Sequence, residues 1–276
     1  MLPKAYSARP AAANSSSQPE DLKMAGSVAR TAQRQLGHLL FWVRRNFTEP
    51  TLDPDRDSVV LPVATYSPWL LDDDFLRVRD AVSSHTLVDQ FRCWELWHLA
   101  GQVQAIEGDF LEVGVWRGGT GCLLASRVAM LGLGATVHLC DTFEGVVKAT
   151  GADSHYQGGE HADTSESLVR GLADALDLNN IELHRGIFPD DVTGDLDGHR
   201  FRFAHIDVDV YESGRRSFEW LWPRMPAGGI VVFDDFGFST TRGIAQLCHE
   251  LESRTDAVVL QNLNGHAVVV KTRPAD

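Results

Sequence analysis

Residues 110–120 read FLEVGVWRGGT, and residues 137–141 read VHLCD. The first stretch is an apolar run that breaks into an acid and glycines and resumes as a helix-compatible segment. The second is an apolar run that ends on Asp141. A strand whose turn must bring backbone close to a nucleotide-like ligand has this form, and an acid ending the next strand suits the two hydroxyls of a ribose. Together they point to an adenosine-bearing cofactor. A dinucleotide would need the spacing G-x-G-x-x-G to seat a pyrophosphate on a helix N-terminus. Here Val115, Trp116 and Arg117 separate Gly114 from Gly118, and the bulk of Trp116 leaves little room for phosphates.

At 276 residues the chain can bury a substantial core. Its net charge of −13 argues against a nucleic-acid partner, whose phosphates require a basic face. The four cysteines, Cys93, Cys122, Cys140 and Cys248, are scattered and form no metal-type spacing, so they read as small core residues in a reducing compartment. No signal-like start and no membrane-length apolar run is seen, so a cytoplasmic protein without membrane contact is expected.

Residues 1–22 are rich in Ala, Ser and Pro and are expected to be a disordered tail. Residues 23–85 read as a helical arm and linker. Within them, residues 24–47 space Val28, Leu36, Leu39, Leu40 and Val43 on one helical face, with arginines opposite. That face has no evident intrachain partner, which points to a homo-oligomer; a membrane contact is the lesser reading. Asp72, Asp73 and Asp74 suit the start of a helix, where the dipole favours acids, over a metal role. Residues 87–103 read as a core helix.

The main domain is expected over 86–276. Strands are predicted near 110–115, 136–140, 181–185, 203–208 and 230–233, with helices at 121–131, 164–176, 213–222 and 241–254 between them. Such alternation gives a parallel α/β sheet. Two β-branched runs around Asn262–Gly265, with its Asn-Gly turn, then predict an antiparallel hairpin, which an ordinary dinucleotide dehydrogenase would not be expected to carry.

A second constellation is acidic. FAHIDVDVYES places Asp207 and Asp209 at the end of one strand, and GGIVVFDDF places Asp234 and Asp235 at the end of the next. Ligands of open α/β sheets bind beyond these strand ends, so the four carboxylates converge beside the glycine turn. Converging carboxylates suppress one another's ionisation, and a hard divalent ion such as Mg²⁺ relieves this through oxygen ligands. Three aspartates, two substrate oxygens and one water make a workable set. The competing reading has Asp234 and Asp235 capping the next helix, although Ser239, Thr240 and Thr241 are better placed for that.

The ordered motifs FLEVGVWRGGT, CDTFEGV, IDVDVYES and GGIVVFDDF resemble those of the macrocin O-methyltransferase family, over residues 87–276. The resemblance implies a Rossmann-like class I S-adenosylmethionine methyltransferase fold: a seven-stranded, mostly parallel sheet with a C-terminal antiparallel hairpin, here with an N-terminal helical extension. It implies transfer of methyl from S-adenosylmethionine, with Mg²⁺, to a sugar hydroxyl of a natural product. It also puts Asp207, Asp234 and Asp235 on the metal ligands and Asp209 on the proposed base. Glu112 stands where such methyltransferases carry an acid, and with Gly114 and Gly118 it is expected to shape the methionine end of the cofactor, with Arg117 near its carboxylate. Asp141 is the candidate for the ribose, and Asp207 borders the cofactor as well as the metal. Thr142 and Phe143 are expected to flank the adenine, and Phe188 either covers its other side or is a core aromatic.

A sugar hydroxyl is a weak acid, and a vicinal diol bound to Mg²⁺ would lose a proton more readily to a neighbouring carboxylate. Asp209 is the preferred base, with His155 and His161 as competitors. Both histidines lie in the glycine-rich segment 146–163, expected to form a lid or substrate wall in which Glu160 also meets substrate. His205, inside a predicted strand, reads as structural. Other outcomes stay open: a catechol or nitrogen acceptor, a cofactor-binding protein that catalyses a non-methylating rearrangement, or a scaffold.

Overall fold

A computed structural model describes residues 35–40, 42–43, 52–53, 55–60, 64–148 and 155–273. The chain divides into two compact units, Met1–Leu61 and Pro62–Asp276. In the first, residues 35–40 and 42–43 are helical, and the backbone turns at Asp53, whose carbonyl accepts from the amides of Arg56 and Asp57. The tail expected over 1–22 and the flanks of the helix expected over 24–47 lie outside the described residues. Among the described residues, no helix is long and apolar enough to cross a membrane.

The second unit also contains the stretch after Pro62 that the sequence groups with the arm. Helix α1, Asp73–Val82, buries Phe75, Val78 and Val82. Its cap is Asp72, which accepts from the Phe75 amide at 2.8 Å and the Trp97 indole at 3.0 Å, while Asp74 pairs with Arg77. The acid triplet thus serves the helix start. Asp89 caps α2, Gln90–Gln102, which lays Cys93, Leu96, Trp97 and Ala100 into the core.

Seven strands follow: β1 Asp109–Val113, β2 Val137–Asp141, β3 Ile181–Arg185, β4 Phe201–Ile206, β5 Ile230–Phe233, β6 Ala257–Gln261 and β7 Ala267–Lys271. Their order is β3-β2-β1-β4-β5-β7-β6, and β7 alone runs antiparallel to its neighbours. The connecting helices are α3 Gly119–Met130, α4 Glu166–Ala175, the single turn α5 Thr193–Leu196, α6 Tyr211–Leu221 and α7 Arg242–Leu251. Side chains alternate across the pleat, except at the start of β4, where a register shift against β1 puts Phe201 and Phe203 on opposite faces. Phe110, Leu139, Phe203 and Val232 pack with the α1 to α4 residues on one face, and Leu111, Cys140, Phe201 and Ile206 pack with α6 and α7 on the other. This is the class I methyltransferase architecture, closed by the expected hairpin.

β1 and β4 end at Val113 and Ile206, before the expected Val115 and Val208. Gly114 causes this. Its φ of +86° turns the chain, and a Cβ there would lie 1.7 Å from the Asp207 carbonyl oxygen. Only glycine lets these two strand ends approach so closely.

Candidate functional site

Strand register builds the site. Val113 lies opposite Cys140 on one side and Ile206 on the other, and Ile206 lies opposite Phe233. The residues that follow, Gly114, Asp141, Asp207 and Asp234, therefore leave the sheet at one level, where strand order reverses about β1 and β4. A cleft of about 330 Å³ opens there. Its lining includes Gly114, Val115, Trp116, Asp141, Thr142 and Phe188 together with Asp207, Asp209, Asp234 and Asp235.

Within the glycine half, Asp141 organises the backbone. Its Oδ2 accepts from the amides of Val115 at 2.6 Å and Trp116 at 2.9 Å, and Oδ1 from Phe143 at 2.7 Å. These bonds shape the turn and use most of a carboxylate's roughly four acceptor sites. Thr142 donates to the Gly145 carbonyl at 3.3 Å. Phe188 lies edge-on to Trp220, so it packs in the core and also faces the cleft.

Four residues assigned to the cofactor lie outside the cleft lining. Glu112 sits inside β1, fully buried, and its Oε1 meets Nδ1 of His205 at 2.9 Å. Arg117 is held by the side chain and carbonyl of Asp163 and lies over the Trp116 ring. Gly118, with φ +87°, lets the start of α3 pack on Val169. Phe143 is buried in the hydrophobic core.

The acidic half converges as expected. Oxygens of Asp207, Asp234 and Asp235 all lie within 4.8 Å of one another. Asp235 accepts from the Asp209 amide at 2.9 Å, and Asp209, at φ 61°, accepts from the Tyr156 hydroxyl at 2.6 Å. Burial and the neighbouring Asp234 push the Asp207 carboxyl well above the usual range. Burial and Asp209 do the same to Asp235, and burial also raises Asp209. Asp234 goes the other way. Burial opposes its charge, but His205, His266 and Arg92 outweigh burial and hold it ionised. His266 Nε2 is 2.8 Å and His205 Nε2 3.4 Å from its Oδ1, and Arg92 bonds Oδ2. The same contacts to Asp234 and Glu112 overcome burial at His205 and raise its pKa to about 10.

This donor set fits Mg²⁺. Three hard carboxylate oxygens suit the ion, one carboxylate is oriented by outer partners, and the two that repel would be relieved by positive charge. Since α7 begins only at Arg242, neither Asp234 nor Asp235 occupies its cap position.

In the segment over the cleft, residues 149–154 lie outside the described residues. His161 faces the cleft, edge-on to Trp116. His155 lies outside the lining and meets the Tyr156 ring. Glu160 accepts from the amides of Gln157 and Gly158, which closes a turn. Tyr156, Arg92 and His266 also serve the site, through Asp209 and Asp234, outside any of its motifs. Arg92 carried a signal, a cation within an apolar helical stretch, and so did His266, a polar residue between a turn and an apolar strand.

A family model described as Macrocin-O-methyltransferase (TylF) matches residues 78–263. The chain is 32% identical over 174 residues to the 8-demethyl-8-(2,3-dimethoxy-alpha-L-rhamnosyl)-tetracenomycin-C 4'-O-methyltransferase of Streptomyces olivaceus, covering 58% of this chain and 65% of the relative. It is 27% identical over 191 residues to the mycinamicin III 3''-O-methyltransferase of Micromonospora griseorubida, covering 62% and 71%. The first match thus spans just under two thirds of the relative's length. Among solved structures, the O-methyltransferase NovP aligns with a TM-score of 0.59 at 21% identity, covering 68% of this chain and 83% of that one. The calicheamicin methyltransferase CalS11 aligns at 0.56 and 17%, covering 78% and 98%. At these identities the two structures speak for the fold alone.

Proposed function

The chain belongs to the macrocin O-methyltransferase family, and on that premise we propose that it methylates a sugar hydroxyl, one of a vicinal pair, on a glycosylated natural product. The methyl donor is S-adenosylmethionine and the metal is Mg²⁺ at Asp207, Asp234 and Asp235. One observation carries this reading: the Gly114 turn and the four aspartates line a single cleft. The names of the tetracenomycin and mycinamicin relatives support the acceptor class.

The donor supplies an already activated methyl group and the metal supplies positive charge beside the acceptor oxygens. The protein's own part is to aim and to deprotonate. Asp141 sets the backbone of Val115 and Trp116 that would face the adenosine. Asp209 takes the acceptor proton. The Tyr156 hydroxyl on Oδ1 orients the Asp209 carboxylate and leaves Oδ2 to meet the acceptor. His161, which also faces the cleft, is the competing base.

Incubation with methyl-labelled S-adenosylmethionine, Mg²⁺ and a panel of glycosides, catechols and amines tests the proposal. Label on a sugar hydroxyl supports it. Label only on catechol or nitrogen, or donor bound without transfer, overturns it.

A further inference from the structure

Away from the cleft, three histidines gather on β2, on the edge strand β3 and just before β4. His138 is the second residue of β2, His184 lies in β3 and His199 precedes β4, while Asp109 opens β1. We propose that Asp109, His138 and His199 form a second metal site, for a divalent ion of the zinc type. It is independent of the proposed activity.

Three observations carry it. First, His138 is fully buried, yet its Nε2 has no hydrogen-bond partner. Its Nδ1 lies 3.0 Å from His184 Nε2. A proton placed on Nδ1 and donated to His184 leaves the Nε2 lone pair facing Oδ2 of Asp109 at 3.6 Å. Two lone pairs at that distance repel unless a cation lies between them.

Second, the spacings suit one ion. Asp109 Oδ2 is 2.9 Å from His199 Nδ1, and the three ligand atoms all lie within 4.8 Å of one another. Tetrahedral zinc, with bonds of about 2.0–2.1 Å, sets its ligands about 3.3–3.4 Å apart. The two measured distances fall on either side of that value.

Third, the supporting contacts that orient metal ligands are in place. The Thr136 amide donates to Asp109 Oδ1 at 3.0 Å and turns Oδ2 toward the site. His138 Nδ1 is paired with His184 Nε2 at 3.0 Å, and the His199 ring lies alongside Phe201. The His199 side chain keeps 37% of its surface exposed, which leaves room for a water as fourth ligand. A rival set, His138 with Glu182 and His184, is less suited. It would use the Nδ1 already engaged with His184 and would leave the buried Nε2 unpartnered.

The test titrates zinc alone into the full-length chain against a chromophoric chelator, with cobalt absorption as a second readout. The Asp235→Asn variant separates this site from the acids of the cleft. Wild type and Asp235→Asn should each take up zinc here and show the cobalt band of a tetrahedral site. His199→Ala, at a part-exposed position, should weaken binding by about tenfold or more and lose the band, whereas Glu182→Gln should do neither. No uptake by Asp235→Asn, unchanged binding by His199→Ala, or loss in Glu182→Gln overturns the assignment.

Discussion

Oδ1 of Asp234 lies 2.8 Å from Nε2 of His266, across the junction where β5 meets the reversed strand β7. Phe233 pairs with Ala267, so the acid that follows β5 stands opposite the imidazole that precedes β7. Glu95 holds the far side of that ring, with His266 Nδ1 at 2.6 Å. The antiparallel hairpin therefore does more than finish the sheet: it delivers a side chain that orients one wall of the cleft.

Replacing this imidazole should loosen the acid without removing it. His266→Gln is expected to fold and to weaken Mg²⁺ activation by about 10–100-fold, the usual effect of losing an outer partner of a metal ligand. The magnesium dependence of turnover reads this directly. An unchanged dependence would show that Asp234 needs no such support.

Gly114→Ala should be far more damaging than a typical alanine substitution. The new Cβ would overlap the Asp207 carbonyl oxygen at 1.7 Å, and φ +86° is itself unfavourable for alanine. We expect a loss of about 4 kcal/mol or more in urea denaturation, or failure to fold. A loss below about 1 kcal/mol would mean that β1 and β4 separate easily at this end.

The glycine turn, the alternating elements and the final hairpin are legible in the sequence because each is a local pattern of glycine, β-branched residues and period. The convergence of Asp207, Asp234 and Asp235 is legible too, since consecutive motifs end their strands on acids and the topology gathers strand ends. What supports those acids is not. His205 reaches Glu112 across 93 positions, and Arg92 reaches Asp234 across 142. Cross-strand and helix-to-strand partners are set by register and packing, which no local pattern encodes. For the same reason the motif that carries Glu112 does not announce its contact with His205, and the histidines of β2 and β3 give no recognisable metal spacing.

Asp256 offers a test of acid stability remote from the cleft. Bonds from Arg254, joined by the Trp222 indole, hold its carboxyl at about 2, below the ordinary 3.8. The unfolded chain therefore binds the proton more readily than the folded one. The stability from these bonds is fully present above pH 3.8 and fades as pH falls through 2. Asp256→Asn should be less stable than wild type at neutral pH, with the gap narrowing over that window in denaturation curves. A gap that stays constant with pH would contradict the assignment.

Tyr156→Phe removes the hydroxyl that donates to Asp209. With Asp209 as base, kcat should fall about tenfold while the affinity for S-adenosylmethionine holds, since the lost bond touches only the acceptor side. Loss of donor affinity with kcat unchanged would move Tyr156 to the other half of the cleft.

The central claim is that the aspartates hold a metal which the methylation of a sugar hydroxyl requires. Turnover of a glycoside acceptor, followed through metal removal by EDTA and Mg²⁺ readdition, tests it most directly. We predict that turnover stops on chelation and returns with Mg²⁺ in the wild type, and stays absent in Asp235→Asn although that variant still binds S-adenosylmethionine. Undiminished turnover in EDTA would contradict the account.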